Sequence, residues 1–352
     1  MIKLGNLDFQ LSSGFSLEIG ALNVREGEVL SIIGPNGAGK TTLLNIFALL
    51  QEIRTGSLEI MGRDAREPAN KISLRRAMSY VFSRPYLADD TVANNVALPL
   101  KFRGLRDAGR TAEMLELFKI TGLRDRNANQ LSQGERHRVS LARAFVTRPR
   151  LVLLDEPFSS LDARVRETII CDLRKIIRAA GTTVLLVTQD QGEALALADT
   201  LAVMKAGRLL QRAGPAEIFA RPASKDVADF VGVETILPGT VTKNEDNLCS
   251  VEAGGKTLEV IADCAPGDGV YVCVRPEHVS VSRTPEAGSM RNHLSAKIVS
   301  VEPWGLEYKA GLDCGFSLMA AVTKQSVDAL GLKPGLEVFA SFKATAAHLI
   351  KR

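Results

Sequence analysis

A chain of 352 residues, 45% hydrophobic and 24% charged, is long for one hydrophobic core, and two domains are expected. Its 44 basic and 40 acidic residues nearly cancel, so bulk charge gives no argument for a nucleic-acid partner. No run of about 18 uncharged apolar residues occurs, so work at a membrane needs spans from another subunit.

Residues 1 to about 231 alternate short apolar runs with helical patterns. Segments 30–33, 78–82, 151–154, 184–188 and 201–204 read as buried strands; 41–50, 111–121, 133–146, 165–180 and 192–197 read as helices. That alternation predicts a largely parallel α/β sheet. From about residue 237 the texture turns to short alternating strands, at 240–243, 248–252, 270–274, 296–301, 316–321 and 338–343, which predicts a small all-β barrel or barrel pair. Pro266-Gly267-Asp268-Gly269-Val270 and Pro334-Gly335-Leu336-Glu337-Val338 precede strands at matching spacing, as a duplicated β unit would. The five cysteines (Cys171, Cys249, Cys264, Cys273, Cys314) form no C-x-x-C pair, and Met1 leads straight into a strand pattern without a secretory leader. Free thiols in a reducing cytosol are expected.

Three motifs carry chemistry. Gly34-Pro35-Asn36-Gly37-Ala38-Gly39-Lys40-Thr41-Thr42 follows an apolar strand and opens a helix, the context a phosphate loop needs. Its glycines let backbone N–H groups turn toward phosphate oxygens, Lys40 reaches the β- and γ-phosphates, and Thr41 offers a hydroxyl to Mg²⁺. Leu151-Val152-Leu153-Leu154-Asp155-Glu156 delivers two carboxylates at a strand's C-terminal end: Asp155 to hold the metal, Glu156 to polarise the attacking water. Leu131-Ser132-Gln133-Gly134-Glu135 opens a helix with a hydroxyl and free N–H groups, as an anion site or as an ordinary capping box.

Together these motifs resemble the ABC ATPase family over residues 1 to about 232. Leu131 to Glu135 is similar to the family signature, and Ser159-Ser160-Leu161-Asp162 to its D-loop. Asp155-Glu156-Pro157-Phe158 and Ala213-Gly214-Pro215-Ala216-Glu217 resemble the importer branch. The resemblance implies a head-to-tail dimer in which Ser132, Gln133, Gly134 and Asp162 meet ATP bound by a second copy. It also implies a helical insert at about 84–129 that docks a membrane permease near Pro85, Tyr86 and Leu87. Phe15 or Phe9 would stack on adenine. A solute-binding protein would be an indirect partner, nucleic acid would not be one, and the place would be the cytoplasmic face of the inner membrane, peripherally.

Two positions depart from the family. Its Val-Phe-Gln frame here ends in Ser83, at a position that otherwise reaches Mg²⁺ and the attacking water. Its Val-Thr-His-Asp switch reads Val187-Thr188-Gln189-Asp190. Gln189 can donate a hydrogen bond but carries no charge and shuttles no proton. Loss of one positioned donor typically costs on the order of a hundredfold in rate, so slow hydrolysis with intact ATP binding is expected.

Residues 236–352 resemble the regulatory β-domain of importer ATPases related to small molybdate-binding proteins. That resemblance implies an oxyanion site from Ser289, Arg291, Asn292, Thr323, Ser326 and Lys343, donors and cations of the kind a dianion needs. The cargo expected is molybdate or tungstate, ahead of sulfate, sugar, polyamine or iron. A weakly hydrolysing regulatory subunit is the alternative kept open by Ser83 and Gln189.

Overall fold

The computed structural model describes residues 1–11, 14–285 and 288–352. The chain forms two compact units, Met1–Pro215 and Ala216–Arg352, whereas the sequence reading placed the change of texture at about 232–236.

The first unit begins with strands β1 (Ile2–Gln10), β2 (Ser16–Val24) and β3 (Val29–Ile33), followed by helix α1 (Lys40–Phe47). Next come β4 (Ser57–Ile60), β5 (Arg63–Asp64), α2 (Pro68–Ala77) and β6 (Met78–Val81). Helices α3 (Val92–Lys101), α4 (Ala108–Leu117) and α5 (Gln133–Phe145) lead to β7 (Leu151–Asp155), α6 (Ala163–Ala180) and β8 (Thr183–Thr188). The unit ends with α7 (Gln191–Leu197), β9 (Thr200–Lys205) and β10 (Arg208–Ala213).

These strands make one ten-stranded sheet in the order β5-β4-β1-β2-β10-β9-β3-β8-β7-β6. The half from β9 to β6 is parallel, as the apolar runs predict. The half from β5 to β2 is antiparallel and was not foreseen. Its strands alternate buried and exposed residues, because one face meets the core and the other meets water.

The parallel strands read as continuous apolar runs because each serves two cores. Val152, Leu154, Val184 and Leu186 pack among α3 to α6. Leu151, Leu153, Leu185 and Val187 face the opposite way, against α1 and the antiparallel strands. Helix α6 buries Ile169, Ile170, Leu173, Ile176 and Ile177, a stripe at helical spacing, and ends at Gly181. The arrangement places the ends of β3, β7 and β8 side by side, and it is there that the motifs lie.

The second unit opens with α8 (Pro215–Ala220, reaching back one residue) and α9 (Lys225–Phe230). Strands β11 (Thr235–Glu245), β12 (Leu248–Ala253), β13 (Lys256–Ile261) and β14 (Gly269–Val274) follow, then β15 (Ser280–Ser282), β16 (Asn292–Trp304), β17 (Glu307–Asp313) and β18 (Ser317–Thr323). Helix α10 (Lys324–Leu330), β19 (Glu337–Phe342) and β20 (Ala347–Lys351) close it. Two five-stranded sheets result, β13-β12-β11-β14-β20 and β15-β19-β16-β17-β18. They share one core: Val251, Leu258 and Val272 from the first meet Leu294, Ile298, Leu312 and Ala340 from the second. Each of the two Pro-Gly turns enters a strand of a different sheet. All five cysteines are free, and four of them are buried.

Candidate nucleotide and metal site

The phosphate loop joins β3 to α1, and its backbone is held close to the sheet. A Cβ on Gly34 would lie 2.0 Å from the Met204 carbonyl oxygen, so only glycine lets the loop leave β3 at this height. Gly39 has φ of +100°, and a Cβ there would lie 2.5 Å from Leu17 and 2.8 Å from the Phe15 ring. The start of α1 carries no side-chain cap, which leaves its first-turn N–H groups facing the loop. Phe15 is half-buried against that loop, whereas Phe9 is a core residue, so of the two aromatics only Phe15 stands where a base could stack.

Lys40 is only 5% exposed, and its ammonium lies in the loop, donating to the Gly34 and Pro35 carbonyl oxygens at 2.8 and 3.0 Å. Burial pulls it below the ordinary lysine range, while the Glu156 and Asp155 carboxylates pull the other way. A charged amine poised between desolvation and two carboxylates suits an incoming phosphate.

The metal corner is assembled across the sheet. The Thr41 hydroxyl donates to Asp155 Oδ1 at 2.9 Å, joining the first turn of α1 to the end of β7. Asp155 is 8% exposed. A hydroxyl whose proton is taken by a carboxylate keeps its lone pairs for a cation, and hydroxyl and carboxylate oxygens are the donors that magnesium prefers. These residues fit the ion. Among the described residues no group of three or more His, Cys, Asp or Glu is clustered for a metal elsewhere.

Glu156 follows at φ of +43°, a left-handed backbone that costs a non-glycine residue about 1 kcal/mol or more. Its N–H donates to the Val187 carbonyl at 2.8 Å, and its own carbonyl accepts from Ser159 N–H and Oγ at 3.3 and 3.1 Å. The chain therefore turns sharply as β7 ends, and the Glu156 side chain leaves the line of the strand.

Gln189 stands exposed just past β8, on a firmly built switch loop. Below it Thr188 donates to the buried Glu193 at 2.6 Å, Asp190 caps α7, and Arg166 reaches Asp190 at 2.9 Å. Burial pushes the Glu193 carboxyl above its ordinary value, and the Asp190 and Glu156 charges add to this against the Thr188 bond. Ser83 lies half-buried two residues past β6.

The signature segment forms the capping box the sequence allows. Ser132 Oγ donates to Glu135 Oε2 at 2.8 Å, and Glu135 N–H reaches back to Ser132 at 3.4 Å. Gln133 is exposed, and a Cβ on Gly134 would lie 2.8 Å from Val165 of α6. Asp162 caps α6 through Val165 N–H at 3.0 Å. Behind them His137, 1% exposed, links signature and D-loop. Its Nδ1 donates to the Gln133 carbonyl at 2.9 Å, so its Nε2 accepts from the Ser160 hydroxyl at 3.4 Å. Sequence reasoning passed over His137 and also over Tyr80, whose hydroxyl lies 3.2 Å from Asp155 Oδ2. Strand alternation was the available signal for Tyr80, since it pairs with Leu153, and Asp155 shares that face two residues on.

In the insert, Tyr86 is 71% exposed beside exposed Phe82, while Leu87 packs against the core. Tyr86 is thus surface, and Leu87 is a packing residue.

The oxyanion residues are not brought together within one chain. Asn292 begins β16 and pairs with Phe342 at the end of β19, so Ser289, Arg291, Asn292 and Lys343 share one end of the sheet. Thr323 ends β18 opposite Glu307, which pairs with Trp304 at the far end of β16, and Ser326 follows it. Asn292 is buried and spends its amide on Glu259 backbone, Arg291 pairs with Glu259 at 3.2 Å, and Thr323 caps α10. The linear match failed because antiparallel pairing sends the two halves of the set to opposite ends.

Comparison with known proteins defines the class. Residues 17–159 match the ABC transporter family, and residues 288–349 match the TOBE domain. The chain belongs to the ABC transporter family, as an importer-type ATP-binding subunit with a C-terminal TOBE-type domain, and it is an ATP hydrolase. It is 35% identical to the spermidine/putrescine import ATP-binding protein PotA of Rubrobacter xylanophilus, over 97% of this chain and 92% of that one. It is 34% identical to the molybdate/tungstate import ATP-binding protein WtpC of Pyrococcus horikoshii, over 95% and 96%. To a sulfate/thiosulfate import ATP-binding protein, CysA 2 of Chromobacterium violaceum, it is 38% identical over 81% and 76%. Among solved structures, a dimeric ATP-binding cassette in a post-hydrolysis state with ADP and Pi aligns with TM-score 0.54 and 30% identity, covering 61% of this chain and 99% of that one.

Proposed function

We propose that this chain is a motor that binds Mg·ATP between the phosphate loop of one copy and Ser132, Gln133 and Gly134 of a second, and that its cycle drives uptake of a small oxyanion, molybdate or tungstate, through a separate permease. The observation that carries the nucleotide reading is the Thr41–Asp155 bond of 2.9 Å beside a lysine laid inside its own loop. Lys40 exchanges its two carbonyl partners for β- and γ-phosphate oxygens. The N–H groups of Gly37 to Thr42 and the open start of α1 receive the rest of the charge. Phe15 stacks on adenine. Thr41 and Asp155 would hold Mg²⁺, which would supply charge neutralisation at the phosphates. Glu156, turned out of the strand, polarises the attacking water, and Gln189 holds the γ-phosphate side by its amide. Asp162 and the signature residues complete the partner's site.

No described helix is long and apolar enough to cross a membrane. The place proposed is peripheral, at the cytoplasmic face of the inner membrane, beside a permease that supplies the spans. The exposed Tyr86 of the insert and Phe82 just before it fit a permease contact, with a solute-binding protein as indirect partner and no nucleic acid. Ser83 and Gln189 favour a slow motor.

The oxyanion cargo is supported by the end-to-end likeness to the molybdate/tungstate relative and the likeness to the sulfate one. Deleting the gene and measuring uptake of labelled molybdate, sulfate and spermidine tests it. Loss of molybdate uptake alone is expected; loss of spermidine uptake alone overturns the cargo reading and leaves the motor reading standing.

A further inference from the structure

Asp155 is held on both sides. Its Oδ1 accepts from Thr41 at 2.9 Å, and its Oδ2 lies 3.2 Å from the hydroxyl of Tyr80, which neither the phosphate loop nor the carboxylate strand contains. Tyr80 reaches it by register. Tyr80 pairs with Leu153 across the parallel strands β6 and β7, Asp155 is two residues further on the same face, and an aromatic side chain spans that diagonal. The Phe82 ring, also on that face, stands 4.4 Å away, tilted by 38°, and confines the phenol.

The hydroxyl has a second polar neighbour, Asn45 Oδ1, at 3.1 Å. Asn45 follows Thr41 by one turn of α1, so the two side chains rise on one face of the helix. A phenol has one proton and cannot donate to two oxygens. With the Asn45 amide turned end for end, its N–H donates to Tyr80 and Tyr80 donates to Asp155, so the single phenolic proton is spent on the carboxylate. A phenol is protonated at physiological pH, so it is available here as a donor.

We propose that Tyr80 is a positioning residue, which with Asn45 fixes the plane of the Asp155 carboxylate and so presets the metal corner opposite Thr41. A carboxylate tethered at one oxygen can still swing about its last torsion; tethered at both it cannot. The fixed plane matters here because Ser83, standing in the chain where the family carries a glutamine, has a shorter side chain. The inference rests on Thr41 and Asp155 being the metal corner.

The test measures ATP affinity by calorimetry, with Mg²⁺ and with EDTA, in wild type, Tyr80→Phe, Asn45→Ala and Asp155→Asn. Mn²⁺ binding to the nucleotide complex is read by electron spin resonance. Tyr80→Phe keeps the ring and its packing, and its thermal midpoint checks the fold. Roughly tenfold loss of the Mg²⁺-dependent increment is expected for Tyr80→Phe, the scale of one hydrogen bond to a charged group, with affinity in EDTA unchanged. Asn45→Ala should lose less. Adding Tyr80→Phe to Asp155→Asn should change nothing further, since the group it orients is gone. A wild-type increment in Tyr80→Phe, equal losses with Mg²⁺ and EDTA, or full additivity with Asp155→Asn overturns the proposal. A wild-type protein whose ATP affinity ignores Mg²⁺ overturns instead the metal corner itself.

Discussion

The two sides of the nucleotide site are built differently. On the metal side Thr41, Asp155, Tyr80 and Asn45 hold one another across α1, β6 and β7, and Lys40 already lies within its loop. On the γ-phosphate side Gln189 stands exposed at the end of β8, with its loop supported from below by Thr188, Asp190, Glu193 and Arg166. Groups locked between buried elements cannot change without unsettling the sheet. A side chain at an exposed strand end can change at little cost to the fold. On the proposed reading, nucleotide binding draws on the constrained side and rate on the side left free to vary.

The largest test of that division is Glu156→Gln. It should lower turnover by on the order of a hundredfold or more while ATP affinity, measured with Mg²⁺, stays within about twofold of wild type. Parallel loss of affinity would mean that the two sides are not separable. The reverse experiment is Gln189→His, which restores a group able to carry charge. Turnover in the reconstituted transporter should rise by roughly tenfold or more, again at constant affinity. An unchanged rate there, together with ordinary importer turnover in the wild type, would show that Ser83 and Gln189 impose no burden.

The smallest effect concerns the support beneath Gln189. Glu193 is held above its ordinary 4.5 by burial first, then by the Asp190 and Glu156 charges. A carboxyl raised in the folded state binds its proton more tightly folded than unfolded. Its contribution to stability is full below the ordinary value and is lost as pH rises through the raised one. Glu193→Gln keeps an oxygen for Thr188 and should flatten that decline from about pH 4.5 upward, a difference of at most about 4 °C in Tm by calorimetry. Superimposable pH profiles would place Glu193 at its ordinary value.

Much of the site was legible because it is local. Gly34 to Thr42 and Asp155-Glu156 are short segments whose spacing encodes their mechanism, and the parallel strands beneath them are unbroken apolar runs. What escaped was non-local. Tyr80 meets Asp155 only through the pairing of β6 with β7, and His137 meets Ser160 only because α5 and the D-loop converge. Helix α3 carries Pro99 in its interior, which weakens its helical signal, and residues 92–101 did not read as a helix. The strands β1 and β2 alternate clearly, but alternation alone does not say which strand pairs with which, so their antiparallel half of the sheet went unread. The oxyanion set failed in the opposite direction: Ser289, Arg291, Asn292, Thr323, Ser326 and Lys343 were joined by likeness along the chain, and strand register parts them.

The position of β20 has a consequence for how the second unit comes into being. It completes the sheet β13-β12-β11-β14-β20 by pairing with β14, although the whole of the other sheet lies between them in the chain. During synthesis β14 must wait with one edge open while β15 to β19 emerge, and the shared core closes only when residues 347–351 arrive. The two sheets are thus one cooperative event, with the last strand as its clasp.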